Sequence, residues 1–239
     1  MSKEKLVLLP GLLCDEAVWA DQREALASRA DTFVPDYNDL DSIAGMAKKV
    51  LETAPYPEFS LAGHSMGGRV ALEVVRQAPQ RVKRLALLDT GYEAIAKGQA
   101  AEAERDKRMK LLAVAKEQGM RAMGGLWAPG MVHPDQVGTP LYEAVLDMIE
   151  RRTPGQFEAQ IKALLVRPDA TPVLQSLACA TVFICGRQDS WSPLPRHEAM
   201  LKLVPPGLGS LHAIEDCGHM STMEKPQAVS DILARWLAA

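Results

Sequence analysis

Residues 59–75 read FSLAGHSMGGRVALEVV, and their reading decides the fold. An apolar run, Phe59 to Ala62, leads into a lone serine set between glycines, and the residues after it are apolar at helical spacing. Strand, sharp turn and helix follow in that order, with Ser65 on the turn. Gly63-His64-Ser65-Met66-Gly67 is a GxSxG pattern, and this context makes it far more specific than the five letters alone. A turn that exposes a hydroxyl needs strained backbone angles at the serine. Any Cβ two residues before or after it would clash with the neighbouring strand and helix. Serine also favours helix N-caps, but capping would not require glycine on both sides.

Working outward, apolar runs alternate with helical patterns: KLVLLPG, EAVWADQREALASRA, DTFVPD, SIAGMAKKVLETA, the elbow with its helix, and RVKRLALLDTG. That alternation implies right-handed crossovers and a parallel sheet. The continuous Val/Leu character of LVLL and LALL fits strands covered on both faces. After Gly91 the rhythm breaks. Until about Ala180 there is helical periodicity without a convincing strand, so residues 92–178 are expected to form a helical cap between core segments 1–91 and 179–239. Within it, AEAERDKRMK reads as a solvated helix face. Arg151, Arg152 and Arg167 read as solvated or paired with local acids, although a substrate carboxylate is an alternative partner. The alternation resumes with TVFICGRQD, a helix from about Pro193 to Leu203, SLHAIEDCGH and a last helix, PQAVSDILARWLAA.

The 239 residues, 47% hydrophobic and 24% charged with a net charge of -3, allow one large core and show no basic excess. Nucleic acid and anionic membrane are therefore not expected as partners, and a neutral or apolar small molecule is. Nothing selects between a monomer and a homodimer. The start, MSKEKLVLLPGLLC, superficially imitates a lipoprotein signal, but its apolar run is short and broken by Pro10, and Leu13 stands where a small residue should precede the cysteine. A buried first strand is expected instead. No run approaches the roughly 18 apolar residues of a bilayer span, so a cytoplasmic protein is expected. The four cysteines lack CxxC pairing and read as reduced, mostly buried thiols. The histidines lack metal-site spacing and GHSMGG lacks the lysine of a phosphate loop, so neither metal nor cofactor is expected.

A serine hydroxyl becomes a good nucleophile when a base takes its proton, and histidine titrates nearest neutral pH. His64 adjoins the serine in a turn expected to point its side chain elsewhere; His133, His197 and His212 lie in the insertion, on a helix and within a strand. His219, in the loop DCGHMS at the carboxyl end of the sheet, is the candidate base. The imidazole in turn needs an acid between nucleophile and base in chain order. Asp189, ending ICGRQD, is the first choice; Asp89 and Asp216 are rivals, the latter also suited to capping a turn in the His219 loop. A tetrahedral oxyanion needs fixed donors, expected from the backbone N–H of Met66 and of Leu12. Met109, Met120, Met123, Trp127, Met131 and Met148 offer an adaptable apolar roof. Met123 and Trp127 are singled out as substrate contacts, because MGGLWAPGM breaks helical periodicity as a loop facing a cavity would.

From LLPGLLCD through GHSMGG and GRQDSWSP to DCGHM, the chain resembles an α/β-hydrolase. It is most similar in appearance to small bacterial carboxylesterases and enol-lactonase-like hydrolases, which carry a helical cap between the sixth and seventh strands of the family fold. The resemblance implies a mostly parallel sheet of about six strands flanked by helices, without the family's N-terminal hairpin because the first strand starts at about Lys5. It also implies a serine hydrolase that cleaves a small carboxylic ester, lactone or thioester through an acyl-enzyme on Ser65, with His219 as base and Asp189 as orienting acid. PGLL stands where an HG pair is more usual in the oxyanion loop. The same residues would also serve a carbon-carbon bond hydrolase or a non-hydrolytic lyase, perhydrolase or receptor, since fold alone does not separate these.

Overall fold

In the computed structural model, which describes residues 3–238, the first part of the chain alternates strand and helix. The elements are β1 (Glu4–Leu9), α1 (Ala20–Ala25), β2 (Ala30–Phe33), α2 (Ile43–Thr53), β3 (Phe59–His64), α3 (Met66–Gln77) and β4 (Val82–Leu88). Five α-helices follow: α4 (Gln99–Gln118), α5 (Met120–Trp127), α6 (Pro140–Glu150), α7 (Pro154–Leu165) and α8 (Thr171–Gln175). The alternation resumes with β5 (Ala180–Gly186), α9 (Leu194–Leu203), β6 (Gly209–Ile214), α10 (Ser221–Glu224) and α11 (Pro226–Ala238). Met1, Ser2 and Ala239, the ends of the two expected core segments, lie outside the described residues.

The strands pair in parallel throughout, in the order β2-β1-β3-β4-β5-β6. This is the six-stranded parallel sheet expected from the sequence. Leu6 to Leu9 of β1 and Leu85 to Leu88 of β4 are fully buried, because helices cover both faces. Burial of each such leucine is worth about 1.5–3 kcal/mol, which is why the apolar runs are unbroken. The order reverses at β1 and β3: the chain first steps outward to β2, then returns to the other side of β1. At such a reversal a crevice opens beyond the carboxyl ends of the strands. Ser65 follows β3 directly, so the fold delivers it to that crevice.

Thr139 and Thr153 cap α6 and α7, each followed by a proline whose missing N–H costs nothing in a first turn. Arg151 and Arg152, just past α6, bind Asp15 and Asp36 at 2.7 and 2.8 Å, and Arg152 also donates to Cys14 O at 2.7 Å. Their acids are in core loops far away in sequence, not local as expected, and the two guanidiniums tie α6 to the loop after β1.

The segment MGGLWAPGM is helical, not the expected cavity-facing loop. Gly124 lies against α6, where an added Cβ would sit 3.2 and 3.3 Å from Leu146 and Ile149. Gly124, which looked like a helix breaker, is there for close packing, while Gly125 faces open space. Met123, beside them, is fully buried and lies outside the cavity wall. Met120 and Met148 are buried as well, and Met109 is exposed.

Candidate active site

Ser65 has φ +54° and ψ -118°, a conformation rarely adopted by a residue with a side chain. It stands at the N-cap position of α3 but makes no capping bond. The glycines explain why the turn is possible. A Cβ on Gly63 would sit 2.3 Å from Gly67 O, and one on Gly67 would sit 2.2 Å from Leu9 O. Helix and strand therefore close on the serine from both sides and hold its hydroxyl outward.

His219 Nε2 lies 2.8 Å from Ser65 Oγ, and its Nδ1 lies 2.8 Å from Asp189 Oδ2. Asp189 Oδ1 accepts from the amides of Trp191 and Ser192 at 2.8 and 2.9 Å. Both carboxylate oxygens of Asp189 are thus occupied, and the N–H at His219 Nδ1 leaves Nε2 free to accept the serine proton. Burial opposes the imidazolium of His219, but the charge and hydrogen bond of Asp189 outweigh it, and the pKa rises above 6.5. Burial alone would raise the pKa of Asp189; the His219 charge and hydrogen bond lower it on balance.

The rival acids are placed elsewhere. Asp89 accepts from Gly186 N at 2.9 Å and from Ser221 Oγ, bonds that join β4 to β5 and α10. Burial first, then the nearby charge of Asp189, raises its pKa. Asp216 is exposed, with φ +51°, so it shapes the loop by its backbone.

The sequence reading missed what holds His219 in place. His64 points toward the base and not away from it: its Nε2 donates to His219 O at 2.8 Å. Burial, then the charge of His219, depresses its pKa to about 3, so it stays neutral. Buried Glu224 accepts from Gly218 N and Met220 N at 3.1 Å and from His133 N at 2.7 Å. His219 N donates to Met131 O at 2.7 Å. The base loop is therefore pinned both to the core and to the helical segment. Gln160 of α7 does the same for the loop after β1, accepting from Leu13 N at 2.8 Å. None of these partners is marked by a local motif.

The site opens into a cavity of about 580 Å³. Ser65, His219, Met66 and Leu12 line it, so both expected oxyanion residues stand beside the hydroxyl, and no bond from either amide to a protein acceptor occurs among the described residues. Trp127 and Met131 also line it, as does Cys14. Burial and then the charge of Asp15 push the Cys14 thiol up to about 12, which keeps it protonated at neutral pH. Trp127 stacks on Trp191 at 5.2 Å, and Trp191 lies 5.1 Å from the His219 ring. Among the described residues, Asp89, Cys185 and Asp189 bring possible metal-ligand atoms within 4.8 Å of one another. Their carboxylates are already committed to the bonds above. No helix among the described residues is long and apolar enough to cross a membrane.

Comparison with known proteins identifies the family and the fold. A 2-hydroxy-6-oxononadienedioate/2-hydroxy-6-oxononatrienedioate hydrolase of Escherichia coli is 26% identical over 217 residues, 88% of this chain and 73% of that one. The malate-bound thermophilic esterase of Thermogutta terrifontis superposes with a TM-score of 0.88 at 25% identity, over 99% of this chain and 90% of that one. The enol-lactonase of Burkholderia xenovorans LB400 shares the fold, with a TM-score of 0.85 at 17% identity over 100% and 93% of the two chains. A model of the alpha/beta hydrolase family matches residues 6–232. A match that runs from the first strand into the last helix is more than a likeness of shape: the chain belongs to the alpha/beta hydrolase family.

Proposed function

We propose that the chain is a serine hydrolase that cleaves a small carboxylic ester, lactone or thioester through an acyl-enzyme. Ser65 Oγ attacks the acyl carbon while its proton passes to His219 Nε2. Asp189 keeps the imidazole in the accepting tautomer and stabilises the cation that forms. The oxyanion is held by the N–H groups of Met66 and Leu12, the first at the positive end of α3. His219 then returns the proton to the leaving oxygen or sulfur, and water releases the acyl group by the same steps. The observation that carries this reading is the continuous chain Ser65–His219–Asp189, at 2.8 Å for each link, opening into the cavity.

A second reading, carbon-carbon bond hydrolysis, is favoured by the name of the Escherichia coli relative. Rapid mixing with a p-nitrophenyl ester separates the two. Ester hydrolysis gives a burst of p-nitrophenol equal to the active sites, followed by steady turnover. No turnover of any ester or thioester, with cleavage of the 2-hydroxy-6-oxo-dienedioate named for that relative, would reject the esterase in favour of the second reading.

A further inference from the structure

The cavity over Ser65 has two chemically different walls. Trp127, Met131, Phe157 and Leu164 make one of them apolar. The other carries Arg69, Lys107, Arg108, Arg167 and Arg196 against only two carboxylates, Glu93 and Glu104. The chain as a whole has a net charge of -3, so this positive excess is local and does not follow from composition. AEAERDKRMK, expected to be merely solvated, supplies two of these cations, Lys107 and Arg108, and the carboxylate Glu104 from α4.

The two carboxylates leave many donors free. Glu104 accepts from Arg108 at 2.9 and 3.1 Å and from Arg167 at 2.6 and 2.9 Å, and is largely used up. Glu93 lies 3.3 Å from Arg196 Nε. Arg69 donates Nη1 to Glu93 O at 2.8 Å, and Arg196 donates Nη1 to Trp191 O at 2.9 Å. Each guanidinium has five N–H donors, so most of those on Arg69 and Arg196 have no protein acceptor among the described residues. Arg167 Nε is buried without a partner. A buried donor such as Arg167 Nε is costly to leave unpaired, whereas the free donors of Arg69 and Arg196 are half-buried on the cavity wall and open to an incoming acceptor.

Their positions relate them to the nucleophile. Arg69 follows Ser65 by one helical turn of α3, which puts it on the same helix face. Arg69 Nη2 and Arg196 Cδ come within 2.8 and 3.0 Å of where a Cβ on Gly91 would stand. The two side chains thus converge over a residue that has no side chain to separate them.

We propose that this wall is an anion subsite, and that the substrate is an ester bearing a carboxylate a few bonds from its scissile carbonyl, such as a half-ester of a short dicarboxylic acid. The inference rests on the esterase reading and names its substrate class. A planar fork matches a carboxylate in two parallel hydrogen bonds, which a point charge does not. The chemistry is unchanged: the Ser65 Oγ–acyl bond forms, the bond to the leaving alcohol breaks, the serine proton leaves with that alcohol through His219, and the distal carboxylate stays intact. This proposal departs from the expectation of a neutral partner, which was taken from overall charge.

The test uses the full chain and paired p-nitrophenyl esters: the half-ester of glutaric acid, and the pentanoate, which carries a methyl group in place of the carboxylate. Wild type should favour the half-ester by about tenfold or more in kcat/KM, and added salt should narrow the gap. Arg69→Gln and Arg196→Gln should each lower that ratio about tenfold, mainly through KM, with Arg69→Lys in between. A wild-type ratio of one or less, or a ratio unmoved in both variants, overturns the subsite while leaving the esterase standing. If neither ester is cleaved, the esterase reading is judged separately on the wider set of esters and thioesters, and calorimetry with glutarate decides the subsite. Binding that is lost in the folded double variant supports it, and equal or absent binding overturns it.

Discussion

The two ends of the cavity are built on opposite rules. Within the Ser65–His219–Asp189 chain the polar groups are matched: Asp189 accepts three bonds, His219 uses both ring nitrogens, and the glycines leave no slack in the turn. Around Arg69 and Arg196 donors outnumber acceptors, and the side chains sit on flexible stems. The first arrangement suits a proton transfer that tolerates little misplacement, and the second suits recognition, where several charges share one anion. Losses at the serine end should therefore be steep and non-additive, and losses at the arginine end graded.

The most direct attempt to break this comparison is Ser65→Ala. Ester turnover should fall by on the order of 10⁴ to 10⁶, and His219→Ala should fall nearly as far, with the double variant little worse than either. Burst titration and melting temperature together distinguish lost chemistry from lost fold. Retention of a tenth of wild-type turnover in Ser65→Ala would remove the serine from the mechanism.

Asp189→Asn comes next, at about 10⁴ in kcat, because an amide favours the wrong tautomer of His219. Asp89→Asn should cost less than about tenfold, since Asp89 holds Gly186 and Ser221 and not the imidazole. The reverse order would show that the matched network runs through Asp89.

A pH profile sharpens the same point. His219 accepts a proton only when neutral, so activity is present above its pKa and is lost as the pH falls through it. Because Asp189 raises that pKa, the acid limb of kcat/KM should have its midpoint above 6.5. Removing the negative charge in Asp189→Asn should move the His219 midpoint downward, and NMR titration of the imidazole measures that without turnover. A midpoint that does not move would show that Asp189 does not set the basicity of His219.

The fold was legible because parallel strands covered on both faces require the unbroken apolar runs that β1 and β4 carry. The elbow was legible because Gly63 and Gly67 leave a sterically enforced mark on the sequence. The supports of His219 were not. His64 and Met131 bond the backbone of His219 from far away in the chain, and Glu224, although only four and six residues from Met220 and Gly218, accepts from bare backbone amides; such bonds impose no residue pattern that a single sequence displays. The arginine wall was obscured differently: Arg69, Lys107, Arg108, Arg167 and Arg196 are scattered along the chain, and only the fold sets them on one cavity. Met123 was misjudged because glycine signals both chain breaks and close packing, and at Gly124 it is the second.

The smallest expected effect concerns the apolar wall, where neither rule of the comparison dominates. Trp127 is half-buried, stacks on Trp191 at 5.2 Å and packs on Phe157 at 6.1 Å, and all three line the cavity, so the indole is held in an aromatic wall. Each methylene of a neutral acyl chain that finds room should gain up to about 0.8 kcal/mol, and the gain should end where the indole is met. In wild type, a series of p-nitrophenyl esters should therefore climb through short acyl chains and then level off. Trp127→Ala removes that limit and exposes Trp191, so its optimum should move to longer chains, while short esters lose about tenfold or less because the smaller chains have less wall to touch. Rates that rise steadily past long acyl chains in wild type, with the same profile in Trp127→Ala, would show that the cavity is open on that side and that Trp127 takes no part in choosing the substrate.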